Sequence, residues 1–120
     1  MRIETTEQGK AVIVKISGRL VSGETGELAR ILETSMKKTN IIVVDCRELE
    51  YMDSTGLGAL VKGLKAVMEL SGDLRLAGVL PKVKMLLELT RADKVFQLFP
   101  SVADALASDV SSNDNLSAGQ

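Results

Sequence analysis

The sequence predicts an α/β domain: a mixed, mostly parallel sheet of about five strands, opened by a β-hairpin and accompanied by four helices. Three observations lead there. Short apolar segments of period two alternate with longer segments of helical period along most of the chain. The first two strand-like segments are separated only by the turn at Gln8-Gly9. The chain has 120 residues, 45% hydrophobic and 26% charged, which is the size and balance of one domain with one core.

Each element has its own signal. Ile3 and Thr5 alternate with charged neighbours, and beyond the turn Val12, Val14 and Ile16 share one face while Lys15 and Ser17 share the other. Gly18 is expected to end this second strand. After Ser22-Gly23, Leu28, Ile31, Leu32 and Met36 recur at helical spacing up to Thr39-Asn40. Ile41 to Val44 is β-branched and apolar throughout, the pattern of a central strand, with Asp45 marking its end. From Leu57 the positions Leu60, Val61, Leu64 and Met68 define a second amphipathic helix that stops near Ser71-Gly72. Leu74, Leu76, Ala77 and Val79 supply a strand. Pro81 suits the first position of a third helix that turns Val83, Leu86 and Leu87 inward. Val95 to Phe99 reads as a last short strand, and Ser101 with Asp104 forms a capping box for a final helix to about Ala107. Strands alternating with helices require parallel pairing with crossovers of one hand, so only the first hairpin is expected to be antiparallel. The domain is assigned to residues 1–108, and the polar stretch 109–120 has little to bury and is expected to be a disordered tail.

Composition removes whole classes of function. Fifteen Lys plus Arg against sixteen Asp plus Glu leave a net charge of −1, with no basic stripe for a phosphate backbone. With two Phe, one Tyr and no Trp there are no stacking platforms for unpaired bases, so nucleic acid is not an expected partner. The chain has no His, which removes the usual base of a Ser or Cys nucleophile, and its single Cys46 excludes most zinc sites. Cys46 is expected to be a buried, reduced thiol. Met1-Arg2-Ile3-Glu4 lacks the apolar core of a signal peptide, and no apolar run approaches the roughly 18 residues of a membrane span. A cytoplasmic protein with no membrane association is the expectation.

The segment with chemical potential is Glu50-Tyr51-Met52-Asp53-Ser54-Thr55-Gly56-Leu57-Gly58, between the central strand and the second helix. A helix N-terminus presents unpaired N–H groups and partial positive charge. Ser54 or Asp53 can cap it, and a phosphate on Ser54 would be stabilised there; the spacing is compatible with capping alone or with a phosphorylation site. Gly56, Ala59, Gly63 and Ala66 form a stripe of small residues, suited equally to helix–helix packing and to a flat surface for a partner.

The run Ile41-Ile42-Val43-Val44-Asp45 through Tyr51-Met52-Asp53-Ser54-Thr55-Gly56-Leu57-Gly58 closely resembles the signature of STAS domains in bacterial anti-sigma-factor antagonists, in which D-S-[ST]-G opens the second helix. The resemblance extends over about residues 3 to 107, including Gly18-Arg19-Leu20; where family members often carry an acid after that triplet, this chain has Val21. The resemblance implies a STAS-like fold and a protein-binding switch, not an enzyme, that needs no cofactor and no metal. It maps the phosphoacceptor onto Ser54, with Thr55 as a second candidate. It implies a partner that is both anti-sigma factor and serine kinase, bringing Mg-ATP, and a PPM-type phosphatase that resets the cycle. The expected partner surface is Asp53, Ser54, Thr55, Gly56, Leu57, Gly58, Ala59, Lys62 and Gly63. Gly56 and Gly58 would let the kinase approach the backbone. The expected oligomeric state is a monomer or weak homodimer.

Other readings are weaker. A response-regulator receiver phosphorylated on Asp45 would need an acidic pair after the first strand, where this chain has Thr6-Glu7 and Ser17-Gly18. Asp45 is expected instead to cap a turn. A Ser54 nucleophile lacks both G-x-S-x-G and S-x-x-K contexts, and Gly56-x-Gly58 reaches Val61 where a dinucleotide fingerprint needs a third glycine. A STAS module that binds partners without any phosphate switch is the remaining alternative.

Overall fold

Gly9, at φ +61°, turns the chain between β1 (Arg2–Gln8) and β2 (Ala11–Leu20), which pair antiparallel with Ile3 opposite Ile16. The computed structural model describes residues 1–108, and the tail assigned to 109–120 lies outside the described residues. After the hairpin the chain runs α1 (Thr25–Met36), β3 (Ile41–Met52), α2 (Ser54–Glu69), β4 (Asp73–Ala77), α3 (Pro81–Leu89), a 3₁₀ turn at Ala92–Lys94, β5 (Gln97–Phe99) and α4 (Val102–Ala107). The five strands lie in sequence order, β1-β2-β3-β4-β5, and every pair after the first is parallel. This is the expected mixed sheet with a single antiparallel hairpin.

That order decides where the helices lie. Successive crossovers of one hand that all step in one direction along a sheet lay their helices on one face. One core cluster accordingly joins Val12, Val14 and Ile16 of β2 and Ile42 and Val44 of β3 to Leu28 and Leu32 of α1, Leu60 and Leu64 of α2, and Val83 and Leu87 of α3. Each such side chain contributes roughly 1.5–3 kcal/mol by leaving water. The opposite face is covered by α4, whose Ala105 packs with Ile13, Val43 and Ala77. Asp73 and Arg75 of β4 point to this second face and are buried. Arg75 Nε donates to Asp73 Oδ2 at 2.9 Å and its Nη1 donates to the Ala105 carbonyl at 2.6 Å, so a buried ion pair fixes α4 to the sheet.

Four boundaries differ from the sequence expectation: β4 ends at Ala77, short of Val79, because Gly78 at φ +68° takes the chain out of the strand, and the other three have physical reasons of their own. Gly18 does not end β2: at φ +93° it adopts a conformation open to glycine, and the strand continues to Leu20 with register shifts at Lys15/Ser17 and Gly18/Arg19. Asp45 does not end β3; its Oδ1 accepts the Arg47 N–H at 3.2 Å, but at an irregularity inside the strand and not at a turn. It is the last β3 residue to pair with β4, opposite Ala77, while β3 runs on to Met52 along β2 alone. The last strand is shorter than expected because Val95 and Phe96 complete the 3₁₀ turn, where Val95 N–H donates to Ala92 and Phe96 is buried in the main core.

Candidate functional site

The overhanging part of β3 carries the chain past the end of β4 and delivers Asp53 and Ser54 at the rim of the sheet. Asp53, with extended backbone, is the N-cap of α2: its Oδ1 accepts the Gly56 N–H at 2.8 Å. Its Oδ2 accepts the Ser22 N–H at 3.1 Å, its own N–H donates to the Leu20 carbonyl at 3.2 Å, and its carbonyl accepts from Leu57 at 3.0 Å. Hydrogen bonds from Gly56 and Ser22 hold the Asp53 carboxyl below the ordinary carboxylate pKa, against a smaller opposing effect of desolvation.

Capping by Asp53 leaves Ser54 free of that duty. Ser54 occupies the first helical position and is exposed, and among the described residues its hydroxyl has no hydrogen-bond partner. A primary alcohol thus stands in solvent at the positive end of a helix of 16 residues.

The sequence-derived surface residues separate into two groups. Thr55, Gly58 and Lys62 are exposed and Ala59 is half-buried, so with Asp53 and Ser54 they make one contiguous edge of α2. Gly56, Leu57 and Gly63 are buried. Leu57 belongs to the core. A Cβ at Gly56 would collide with the Leu20 carbonyl oxygen, and one at Gly63 would lie 2.6 Å from Leu32 Cδ1. These two glycines serve close packing against β2 and α1, and only Gly58 faces open space, so Gly56 gives no approach to its backbone from outside. The small-residue stripe is therefore shared between internal packing and the surface.

Two grooves flank the N-terminal half of α2. One, of about 780 Å³, runs between α1 and α2 and is lined by Thr25, Ala29, Glu33, Thr55, Ala59 and Lys62 among others. The other, of about 530 Å³, lies toward α3 and is lined by Tyr51, Ser54, Lys82, Met85 and Leu89 among others. In the second groove Tyr51, Met85 and Leu89 are 40%, 60% and 78% exposed. Arg19, opposite Tyr51 in the β2–β3 register, lies with its guanidinium 4.5 Å from the centre of the tyrosine ring. Tyr51, Met85 and Leu89 were not among the candidates drawn from sequence. A signal was present in α3, where Val83 and Leu87 form one apolar stripe and Met85 and Leu89 a second, displaced by two residues and so facing away.

Asp45 is remote from such a role. It is buried, and Arg47 grips both its oxygens, Nε to Oδ1 at 3.0 Å and Nη2 to Oδ2 at 2.8 Å. Burial pushes the Asp45 pKa up, but the Arg47 donors outweigh it and the net shift is downward. Among the described residues no group of three or more His, Cys, Asp or Glu is placed to hold a metal ion, and no helix is long and apolar enough to cross a membrane. Cys46 is buried in the main core, and desolvation pushes its thiol pKa up to about 12.

Comparison with known proteins agrees with this architecture. The STAS domain profile matches residues 2–105. An anti-sigma-B factor antagonist of Staphylococcus aureus is 39% identical over 92 residues, spanning 75% of this chain and 84% of that protein. An anti-sigma factor antagonist from Mycobacterium paratuberculosis superposes with a TM-score of 0.79 at 22% identity, covering 88% of this chain and 90% of the other. The Bacillus cell fate determinant SpoIIAA in its phosphorylated form superposes with a TM-score of 0.71 at 14% identity, covering 88% of this chain and 96% of that one. With its matched profile spanning the sheet, all four helices but the end of the last, and the Asp53-Ser54 junction, the chain belongs to the STAS domain family.

Proposed function

We propose that this chain is an anti-sigma-factor antagonist that works by partner switching at Ser54. Unphosphorylated, it binds an anti-sigma factor that is also a serine kinase, and the sigma factor held by that partner is released for transcription. The kinase brings Mg-ATP. Ser54 Oγ attacks the γ-phosphorus, the new O–P bond forms as the bond to the ADP oxygen breaks, and the hydroxyl proton passes to a base on the kinase. A PPM-type phosphatase later hydrolyses the ester and restores the alcohol. The chain acts as substrate and ligand in this cycle.

The observation that carries this reading is the division of labour at the head of α2: Asp53 caps the helix while Ser54 stands exposed, its hydroxyl without a partner among the described residues. Phosphorylation can then change charge without dismantling the fold. A phosphate at that position gains roughly 0.3–1 kcal/mol from the helix end, and water screens its repulsion from the Asp53 carboxylate. An apposed protein surface that excludes water loses that screening, so the added charge of about −1.5 to −2 acts chiefly on the complex. The partner names of the relatives support the same assignment, as does the existence of phosphorylated and unphosphorylated forms of SpoIIAA, a protein of the same fold. Gly58 adds to it, since an exposed helical glycine costs about 0.5–1 kcal/mol relative to alanine and among the described residues none would meet a Cβ placed there.

The test is phosphopeptide mapping after incubation with each anti-sigma factor kinase of the host and Mg-ATP. The expected product is a single phosphate on Ser54, absent from Ser54→Ala. Transfer to no residue by any of these kinases would leave the non-switching STAS module as the better description.

A further inference from the structure

We propose that the groove between β3 and α3, lined by Tyr51, Met85 and Leu89 with Lys82 at its edge and Arg19 stacked on the Tyr51 ring, is the anchoring half of the docking surface for the anti-sigma factor. The inference rests on the antagonist function proposed above and extends it to residues on a different element. Folding does not account for this patch. Val83 and Leu87 already join α3 to the core, and Leu86 packs beside them, yet Met85 and Leu89 on the same short helix remain 60% and 78% exposed. Tyr51 adds an aromatic ring held by Arg19 at 4.5 Å, a side chain with two rotatable bonds whose ordering on binding costs little.

The identity of the occupant follows from shared walls. Ser54 lines this groove together with Tyr51, Met85 and Leu89, so a protein seated over Ser54 has the groove directly beside it. The charge at its edge indicates what that protein presents. Asp53 also lines the groove, but its two carboxylate oxygens accept the Ser22 and Gly56 N–H groups, whereas Lys82 and Arg19 beside it are exposed and among the described residues neither is in an ion pair. A segment with apolar side chains flanked by a carboxylate fits such a surface. Apolar anchors next to the modified residue also explain how one phosphate can release a tightly bound partner: attraction and the added charge share one water-excluded site.

The test uses the host anti-sigma factor that binds the wild-type chain, with affinities measured by titration calorimetry. Met85→Ser and Leu89→Ser are each expected to weaken binding by about tenfold or more, as truncation of an interface anchor does. Lys82→Glu should slow association and make it less salt-dependent. Leu70→Ser is the control, because Leu70 is comparably exposed at 59% but lies at the opposite end of α2. Circular dichroism of each variant checks that the fold is retained; these side chains are solvent-exposed and their loss should leave it intact. Unchanged affinity in Met85→Ser and Leu89→Ser, with binding still lost on Ser54 phosphorylation, would overturn the groove while sparing the antagonist function. Binding of no anti-sigma factor by the wild type would overturn both. A wild-type dimer in sedimentation that Leu89→Ser converts to monomer would assign the patch to a second copy of this chain and likewise overturn the proposal.

Discussion

The Asp53 carboxylate receives the backbone N–H of Ser22 at 3.1 Å, so the residue that caps α2 also holds the loop between β2 and α1. One side chain thereby positions three neighbouring pieces of the surface: the β2–α1 loop, the end of β3 and the head of α2. Removing it should be felt in both stability and dynamics. Asp53→Ala is expected to lower the melting temperature by a few degrees, with faster amide exchange at Ser22 and Gly56, by thermal denaturation and hydrogen-exchange NMR.

The same contact has a defined pH dependence. Because the folded-state pKa of Asp53 lies below its unfolded value, the stability it contributes is fully present above the unfolded pKa and is lost as pH falls through the folded one. Wild type and Asp53→Asn should therefore differ in melting temperature near neutral pH and converge in the acid range below the ordinary carboxylate pKa. A difference that persists unchanged at the acid end would contradict the assignment.

Two glycines two residues apart should respond in opposite directions. Gly56→Ala places a methyl group against the Leu20 carbonyl and should destabilise by about 1–3 kcal/mol, the cost of forced overpacking. Gly58→Ala meets nothing among the described residues and should stabilise the isolated chain by roughly 0.4–1 kcal/mol. Urea denaturation curves of the two variants give both signs directly.

Arg75→Met removes the donor to Ala105 and the guanidinium paired with the buried Asp73 carboxylate. The expected cost is about 3–5 kcal/mol, the scale for breaking one side of a buried pair. The loss should be read in the urea midpoint, accompanied by early exchange in α4.

Cys46 should be inert in the folded chain. With its thiol pKa near 12 and its sulfur buried, it should resist iodoacetamide at neutral pH in buffer and react in urea. Rapid labelling of the native protein would show that the core opens around β3.

Much of this was legible in the residues. The order of elements followed from hydrophobic period together with turn and cap residues: Val12, Val14 and Ile16 alternate while Leu57, Leu60 and Leu64 repeat at helical spacing, both facing one core, and Gly9, Pro81 and Ser101 mark where elements begin or turn. The ends of β2 and β3 were not legible. With the central strand expected to end at Asp45, Arg47, Glu48 and Glu50 fall beyond it, yet they sit on the part of β3 that overhangs β4 with its polar residues in solvent. Gly18 read as a strand breaker and is instead a bulge residue that lets the overhang pair with β2. At the site, the Asp53-Ser54 junction was placed correctly at the helix start, but spacing could not say which of two capping-competent residues does the capping. That depends on the position of Ser22, which is distant in sequence. The apolar patch was only half legible: the spacing of Met85 and Leu89 sets them off the inward stripe of Val83 and Leu87, but only the fold brings Tyr51, from the end of β3, beside them.

The most direct test of the switch is the affinity of the anti-sigma factor for three forms of the chain: unmodified, Ser54→Ala, and stoichiometrically phosphorylated on Ser54. The unmodified and Ser54→Ala proteins should bind alike, and the phosphorylated protein at least about a hundredfold more weakly, the scale of a like-charge juxtaposition in a closed interface. Equal affinity in all three forms would contradict the account.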